Sequence, residues 1–290
     1  MSSLPAGRVF HAGIRGSCEK SGLDGIMRHY KRVVFTVCRD RCVELRQQNS
    51  GGFYKSVITC YFSNMRAIIT RHYKTIINAS EQILGWGDAP RDSDWRADVD
   101  FVDARLDAHD IRFNAVYSSD LERARQTAMF HARRRGIHLI NDCSALNEVN
   151  YGELYKKKKK WVARHYPQHK KDPDFVYPGG ESFRQMQQRS VACLLSLAEL
   201  HPQQTLLIVV HAGVIRGLIS HFLDLKYADN LKHKISHRYI GDFLFDDDTC
   251  VRYDELGEPS GFVQDRIIEK PCFRPRKDTP VILQEHSAQN

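Results

Sequence analysis

The chain has 290 residues, of which 42% are hydrophobic and 27% charged, and a formal net charge of +8. This length allows one large domain or two small ones, and the composition is that of a globular protein. The excess positive charge lies near the two ends of the chain and the middle is neutral, which argues against a nucleic-acid partner. Residues 1–64 hold 10 Lys/Arg against 4 Asp/Glu, whereas residues 65–265 hold 28 of each.

The sequence gives no sign of a membrane or secretory segment. It contains no run of about 18 apolar residues, so we expect no transmembrane helix and no membrane partner. The N-terminus lacks the apolar core of a secretory signal, which favours a cytoplasmic location. Eight cysteines at spacings that fit no zinc site indicate thiols rather than disulfides or metal ligands.

The two ends of the chain lack a regular hydrophobic pattern. Residues 1–64 show no sustained period of 3.6 or 2, which predicts a poorly ordered extension or sequence upstream of the natural start. Met65, directly before the first convincing strand, suits a start codon. A mitochondrial-type presequence is an alternative, since Arg is frequent in this segment. Prolines among charges predict a disordered tail over residues 266–290.

Between these flanks, residues 65–265 alternate strand and helix signals and are predicted to form the folded domain. Apolar runs predict strands over 67–69, 113–117, 137–140, 206–210, 239–245 and 249–253, and apolar positions at helical spacing predict helices over 94–109, 120–135, 182–200 and 212–223. The nearly all-apolar run 206–210 is typical of the middle of a parallel sheet. The rhythm predicts an α/β fold, a three-layer α/β/α sandwich with a mostly parallel central sheet.

Polar residues stand where the predicted strands end. Arg71 and His72 follow the first strand, Ser118 and Ser119 follow the second, and His211 follows the all-apolar strand and enters a helix. Polar groups at strand ends often lie in the ligand crevice of an α/β fold, although many terminal charges only cap a strand. The rest of the pattern decides between these two interpretations.

Five short motifs follow one another along the chain. They are Arg71-His72 with Thr75 and Asn78; Ser118-Ser119 with Arg123-Ala124 and Thr127-Ala128; Leu146-Asn147-Glu148; Pro178-Gly179-Gly180-Glu181-Ser182; and His211-Ala212-Gly213 with Arg216. Each motif is weak alone, but their order is not expected by chance. Over about residues 66–245 the chain resembles the histidine phosphatase superfamily, the phosphoglycerate-mutase-like enzymes. The resemblance implies a phosphoglycerate-mutase-like fold.

The resemblance also implies roles for individual residues. His72 would be the nucleophile that forms a phosphohistidine, and Glu148 would protonate the leaving oxygen and then deprotonate water. A phosphoryl group needs cations and N–H donors around its oxygens. The implied phosphate ligands are Arg71, Asn78, Arg123, His211 (a third positive donor when protonated) and the N–H groups of Ala212 and Gly213 at a helix start.

The same resemblance implies no metal, no cofactor and a small phosphorylated substrate as the partner. A homodimer is one option for the oligomeric state, which the sequence leaves open. The leading interpretation is a phosphatase that acts on a small phosphate ester. Mutases of the family usually follow the last His with Gly-Asn-Ser, whereas this chain has Ala-Gly-Val-Ile-Arg after His211. A mutase and a non-catalytic phospholigand-binding member are the alternatives.

Several residues leave two interpretations open. Tyr73 and Lys74 stand where the family usually has Gly and often Glu, so the Tyr73 ring could narrow the pocket or strain the turn. The run Lys156 to Lys160 either attracts an anionic substrate or is a solvated surface. Tyr151 either borders the substrate or packs in the core, and Arg125 reads as a solvated helix residue.

Overall fold

The computed structural model describes residues 64–260 and the backbone of three earlier strands, and the chain divides into two compact units, Met1–Phe62 and Ser63–Asn290. In the first unit, β1 (Val33–Cys38), β2 (Cys42–Gln48) and β3 (Tyr54–Cys60) pair in sequence order as an antiparallel sheet. The sequence-based prediction for residues 1–64 did not include these strands. The predicted domain boundaries stay a prediction, and the tail predicted over 266–290 lies outside the described residues.

The second unit is built on a six-stranded mixed sheet. Its strands are β4 (Asn64–Arg71), β5 (Ala115–Ser118), β6 (Asn141–Asp142), β7 (Thr205–Val210), β8 (Ile240–Asp246) and β9 (Thr249–Glu255). The strand order is β6-β5-β7-β4-β8-β9: the first four strands are parallel, β8 pairs antiparallel with β4, and β9 pairs antiparallel with β8. The carboxyl ends of β4, β5 and β7 therefore meet at one edge of the sheet.

Helices cover both faces of this sheet. The helices are α1 (Ile76–Ala79), α2 (Trp95–Ala108), α3 (Glu122–Arg133), α4 (Lys159–His165), α5 (Phe183–Leu200), α6 (Ala212–Phe222) and α7 (Tyr227–Asn230). Alternate residues of a strand point to opposite faces. Ile68 accordingly packs with α2 and α3, whereas Ala67 and Ile69 pack with α5 and α6. This arrangement confirms the predicted three-layer α/β/α fold with a mostly parallel sheet.

Two local predictions were wrong. The helix predicted over 120–135 begins later than residue 120: the residue before α3 is Leu121, and the backbone N–H of Asp120 donates to Asn147 Oδ1. Residues 137–140 form no strand, because the edge pairing with β5 falls on Asn141 and the residue after it. By contrast, the helix predicted over 182–200 is present as α5, and Ser182 caps it with a capping box. None of the helices in the described part of the chain is long and apolar enough to span a bilayer.

Candidate active site

The candidate site lies where β4, β5 and β7 end side by side. His72 directly follows β4, and its backbone N–H donates to Val210 O at 3.0 Å. The next residue after Val210 is His211, so the parallel pairing brings the two histidine rings to a centroid distance of 5.0 Å. The N–H of Ser119, after β5, donates to Val209 O at 3.1 Å and completes the edge. Residues far apart in sequence thus converge at the carboxyl edge, as expected for a ligand crevice.

The ring of His72 is fixed with one nitrogen turned to the protein and the other toward the cavity. Its Nδ1 lies 2.5 Å from Tyr73 O, which can only accept, so Nδ1 carries the proton. The Nε2 atom then has a lone pair, toward which Arg123 Nε donates at 3.3 Å. Burial, followed by the charges of Arg123 and neighbouring cations, lowers the pKa of His72 well below its ordinary value. A neutral Nε2 is the form of histidine that can act as a nucleophile.

Two arginines stand beside His72 and are held by backbone carbonyls. Arg123 is 2% exposed and donates to Gly85 O at 2.6 Å and to Gly87 O at 2.9 Å. Arg71 donates to Ile235 O at 2.6 Å, and its buried Nε has no partner among the described residues. Burial lowers the pKa of each guanidinium to about 10, so both remain charged at neutral pH. The two guanidinium groups give the cavity a positively charged side that is suited to phosphate oxygens.

His211 is fully buried next to the ring of His72. Its Nε2 lies 2.6 Å from Ser119 Oγ, while its Nδ1 has no partner in the described part of the chain. Burial and the charges of Arg123 and Arg71 lower the pKa of His211 well below its ordinary value. The ring is therefore neutral in this structure and does not supply the third positive charge considered from the sequence. When Ser119 donates to Nε2, Nδ1 carries a proton that a phosphate oxygen can accept.

Glu148 lies on the other side of the cavity, at the start of α6. Its Oε2 accepts the N–H of Gly213 at 3.2 Å, and its Oε1 accepts the N–H of Val149 at 3.0 Å. The first turn of α6 was expected to face a phosphate. Here one of its N–H groups holds the Glu148 carboxylate, while Ala212 still lines the cavity. The helix N-terminus thus positions this carboxylate in the cavity that Arg71, His72 and Arg123 also line.

The backbone around Glu148 is held by an ion pair between an arginine and a glutamate. Arg189, on α5, donates to Ala145 O at 2.8 Å and to Glu148 O at 2.9 Å. The same guanidinium pairs with Glu181 at 2.6 Å, and Glu181 accepts the N–H of Asn150 at 2.8 Å. The Pro-Gly-Gly-Glu-Ser motif therefore contributes Glu181 to hold the loop that carries Glu148.

The comparisons with known proteins agree with this geometry. Residues 67–252 match the histidine phosphatase superfamily (branch 1), a span that contains all of the site residues described so far. The chain belongs to the histidine phosphatase superfamily. This finding confirms both the resemblance seen in the sequence motifs and the phosphoglycerate-mutase-like fold.

Proteins of more than one activity are similar to this histidine phosphatase. A 2,3-bisphosphoglycerate-dependent phosphoglycerate mutase of Brucella melitensis is 27% identical over 58% of this chain and 86% of its own length. A metal-independent phosphoserine phosphatase of Arabidopsis thaliana is 30% identical over 52% of this chain and 66% of its own length. The solved structure of Bacillus stearothermophilus YhfR superposes with a TM-score of 0.58 at 26% identity, covering 67% of this chain and 96% of that one.

Gly213 permits the close approach of Glu148 to α6. A Cβ at this position would overlap Glu148 Oε1. We expect Gly213→Ala to displace the carboxylate and to lower kcat by about 10² or more, the range of a lost general acid. Gly217→Ala in the same helix is the matched control, because its Cβ would first meet the flexible end of Met186 at 3.3 Å. Equal effects of the two substitutions on kcat, measured beside their unfolding midpoints, would contradict this role of Gly213.

Arg189 offers a second test of how Glu148 is held. We expect Arg189→Met to remove the ion pair of Glu181 and the donor to Ala145 O, while Glu148 O keeps the Trp86 Nε1–H, and so to cost about 2–3 kcal/mol of stability and to lower kcat about tenfold or more. Arg184 on the same helix pairs with Asp174, and both side chains are about half exposed. Arg184→Met should therefore change stability by no more than about 0.5 kcal/mol and leave kcat unchanged. Denaturant unfolding and steady-state kinetics of both variants make the comparison.

Tyr73 and Lys74, which depart from the family pattern, both contact residues outside the site cavity. The Tyr73 hydroxyl donates to Gln126 Oε1 at 2.8 Å, and its ring packs 5.8 Å from that of Trp95. Tyr73 does not line the site cavity, and its φ is not positive. The ring therefore neither narrows the pocket nor strains the turn. Lys74 forms a 3.0 Å ion pair with Asp92.

The site cavity has a volume of about 280 Å³, and it gathers most of the sequence-predicted residues. Arg71, His72, Asn78, Arg123, Glu148 and Ala212 all line it. Asn78 uses its Oδ1 to accept the N–H of Thr75 in a capping box, which leaves the amide N–H groups for the cavity. Arg125 instead pairs with Asp142 at 3.2 Å and does not line the cavity.

Sequence reasoning missed several residues of the site. His237 Nδ1 lies 2.8 Å from the carbonyl oxygen of His72 and fixes the backbone there, but no motif marks it. Arg216 belongs to the last motif, and its position one turn after Ala212 could have shown that it faces the same cavity. It donates to the carbonyls of Asn230 and His233 and so orders that loop. Tyr151, left open from the sequence, lines the cavity, and its ring centroid lies 4.7 Å from that of Tyr177.

Proposed function

We propose that this histidine phosphatase hydrolyses a small phosphate monoester through a phosphohistidine at His72, without a metal. The observation that carries the proposal is the orientation of His72: a neutral Nε2 lies beside Arg123, with the Glu148 carboxylate in the same cavity. Arg71 and Arg123 supply the positive charge that a phosphoryl group requires.

In the first step, His72 Nε2 attacks the phosphorus and a P–N bond forms. The bond from phosphorus to the ester oxygen breaks, and protonated Glu148 gives its proton to that oxygen, so the alcohol leaves. Arg71, Arg123 and the Nδ1–H of His211 hold the three other phosphate oxygens. The Nδ1–H bond of His72 to Tyr73 O stabilises the positive charge that the ring acquires.

In the second step, a water attacks the phosphorus from the side that the alcohol left. Ionised Glu148 takes a proton from this water, the P–N bond breaks, and His72 recovers its neutral Nε2. The products are inorganic phosphate and the protonated Glu148 that began the cycle. Every proton is accounted for by these side chains and one water.

The outer part of the cavity supports a substrate with a second negative charge. Lys159, Lys170 and Arg216 line it, and no described residue forms an ion pair with any of the three. Of the five-lysine run, Lys159 alone lines the cavity among residues 156–160. Lys158 donates to Ser80 O, and Lys157 lies 5.2 Å from the Trp161 ring centroid. We therefore propose that Lys159 attracts a carboxylate or second phosphate on the same small molecule.

A matched substrate pair tests this proposal. With the full chain in EDTA, we expect phosphate release from O-phosphoserine with kcat/KM at least about tenfold above that for phosphoethanolamine, which lacks only the carboxylate. Lys159→Gln should remove most of the difference, whereas Lys160→Gln should not, because Lys160 does not line the cavity. Equal rates for the two esters would contradict the charged subsite. Activity that EDTA abolishes and a divalent cation restores would contradict the metal-free mechanism.

A phosphoglycerate mutase is the second candidate, because the similar Brucella melitensis protein has that name. The sequence after His211 favours the phosphatase instead. Phosphorus NMR of 3-phosphoglycerate incubated with the chain and 2,3-bisphosphoglycerate separates the two. A phosphatase accumulates inorganic phosphate, whereas a mutase accumulates 2-phosphoglycerate.

A further inference from the structure

Two cysteines outside the site lie close enough to react with each other. The Sγ atoms of Cys143 and Cys193 are 2.9 Å apart, about 0.9 Å longer than an S–S bond. They are separated by 50 positions in the chain, and both side chains are partly exposed. A small oxidant can therefore reach them, and little movement of the backbone is required to join them.

The pair is also activated. The contact with the Cys193 sulfur, together with the N–H groups of Ala145 and Leu146, lowers the pKa of Cys143 to about 6. The same contact and burial raise the pKa of Cys193. A thiol with a lowered pKa beside a second thiol is the arrangement of a nucleophilic cysteine and its resolving partner.

The pair joins two elements that matter for the candidate mechanism. Cys143 directly precedes the short 3₁₀ helix Ser144–Leu146, which leads to Glu148. Cys193 lies on α5, one turn after Arg189, whose guanidinium already holds the carbonyls of Ala145 and Glu148. A bond between the sulfurs would add a covalent link between the same two elements.

We propose that Cys143 and Cys193 are a peroxide-sensitive dithiol that closes into a reversible disulfide and ties the Glu148 segment to α5. The Cys143 thiolate attacks an oxygen of hydrogen peroxide, the O–O bond breaks, and a sulfenic acid forms with release of water after proton uptake. The Cys193 sulfur then attacks the sulfenic sulfur, the S–O bond breaks, and a second water leaves. Two thiols are oxidised by two electrons, and one peroxide is reduced to two waters.

Peptide mapping of the full chain tests the proposal. After hydrogen peroxide treatment and quenching with N-ethylmaleimide, a non-reducing tryptic digest should contain peptides 136–156 and 190–216 as one cross-linked species. Each of these peptides has a single cysteine. Dithiothreitol should release them. We also expect the unfolding midpoint of the oxidised protein to rise by about 5 °C or more, because the bond closes a long loop.

Three variants serve as controls. Cys193→Ser should abolish the cross-link and leave a Cys143 sulfenic acid that dimedone traps, and Cys143→Ser should give neither product. Cys250→Ser should leave the cross-link intact, because Cys250 lies on β9 away from the pair. Recovery of both peptides fully alkylated, at a peroxide dose that oxidises reduced glutathione, would overturn the proposal. A cross-link that leaves the unfolding midpoint unchanged would contradict the proposal that the disulfide holds the Glu148 segment to α5.

Discussion

Replacing His72 by alanine is expected to lower kcat for phosphate release by about 10⁴ or more. The substitution removes the nitrogen that attacks phosphorus, and the groups that remain can only bind the phosphate and polarise it. Arg123 keeps its hydrogen bonds to Gly85 O and Gly87 O, so its guanidinium should keep its position in the cavity. Phosphate release over hours, measured with the substrate that the wild type prefers, gives the residual rate.

Two controls accompany the His72→Ala measurement. His221→Ala changes an exposed histidine on α6 and should leave kcat unchanged. The unfolding midpoint of His72→Ala shows that the variant is folded, and vanadate binding shows that its cavity is intact. A variant that is folded, binds vanadate and keeps more than about a tenth of the wild-type kcat would mean that His72 is not the nucleophile.

The Glu148→Gln substitution is expected to lower kcat by about 10²–10⁴ while phosphate binding stays largely intact. Glutamine keeps an oxygen that can accept the Gly213 N–H, so the side chain can hold its place. It can neither donate an acidic proton to the ester oxygen nor accept one from water. Phosphate binding can be measured as inhibition by inorganic phosphate.

The leaving group makes the Glu148 test specific. The p-nitrophenolate ion leaves without a proton, so Glu148→Gln should phosphorylate His72 from p-nitrophenyl phosphate at a rate within about tenfold of the wild type. Water attack remains slow, so we expect a burst of p-nitrophenol followed by a low steady rate. A first step that slows equally for p-nitrophenyl phosphate and for an alkyl phosphate would contradict the role of Glu148 as proton donor.

The sequence allowed the sheet and the centre of the site to be predicted because their signals are local. The sequence shows one apolar run that ends at Arg71-His72 and another that ends at His211. Parallel pairing of strands then brings their ends together without further information. The error over residues 137–140 has the same origin, because an apolar run was read as a strand without knowledge of its partner.

The parts that could not be predicted depend on contacts between distant segments. Nothing near Glu148 in the chain indicates that the N–H of Gly213, at a helix start, donates to its carboxylate, or that Arg189 holds its backbone. Cys143 and Cys193 are likewise 50 positions apart. Tyr73 shows the opposite limit: its type is unusual for the family position, but the side chain turns to Gln126 and leaves the cavity free.

Trapping the intermediate tests the phosphohistidine proposal most directly. Wild-type protein, mixed rapidly with substrate labelled in the phosphoryl group and quenched at alkaline pH, should carry label on the peptide that contains His72, and His72→Ala should carry none. Glu148→Gln with p-nitrophenyl phosphate should accumulate more label than the wild type, because its second step is slow. A wild type that traps no label in any of these reactions, yet binds vanadate or phosphate, would show that the chain binds phosphorylated ligands without hydrolysing them through His72.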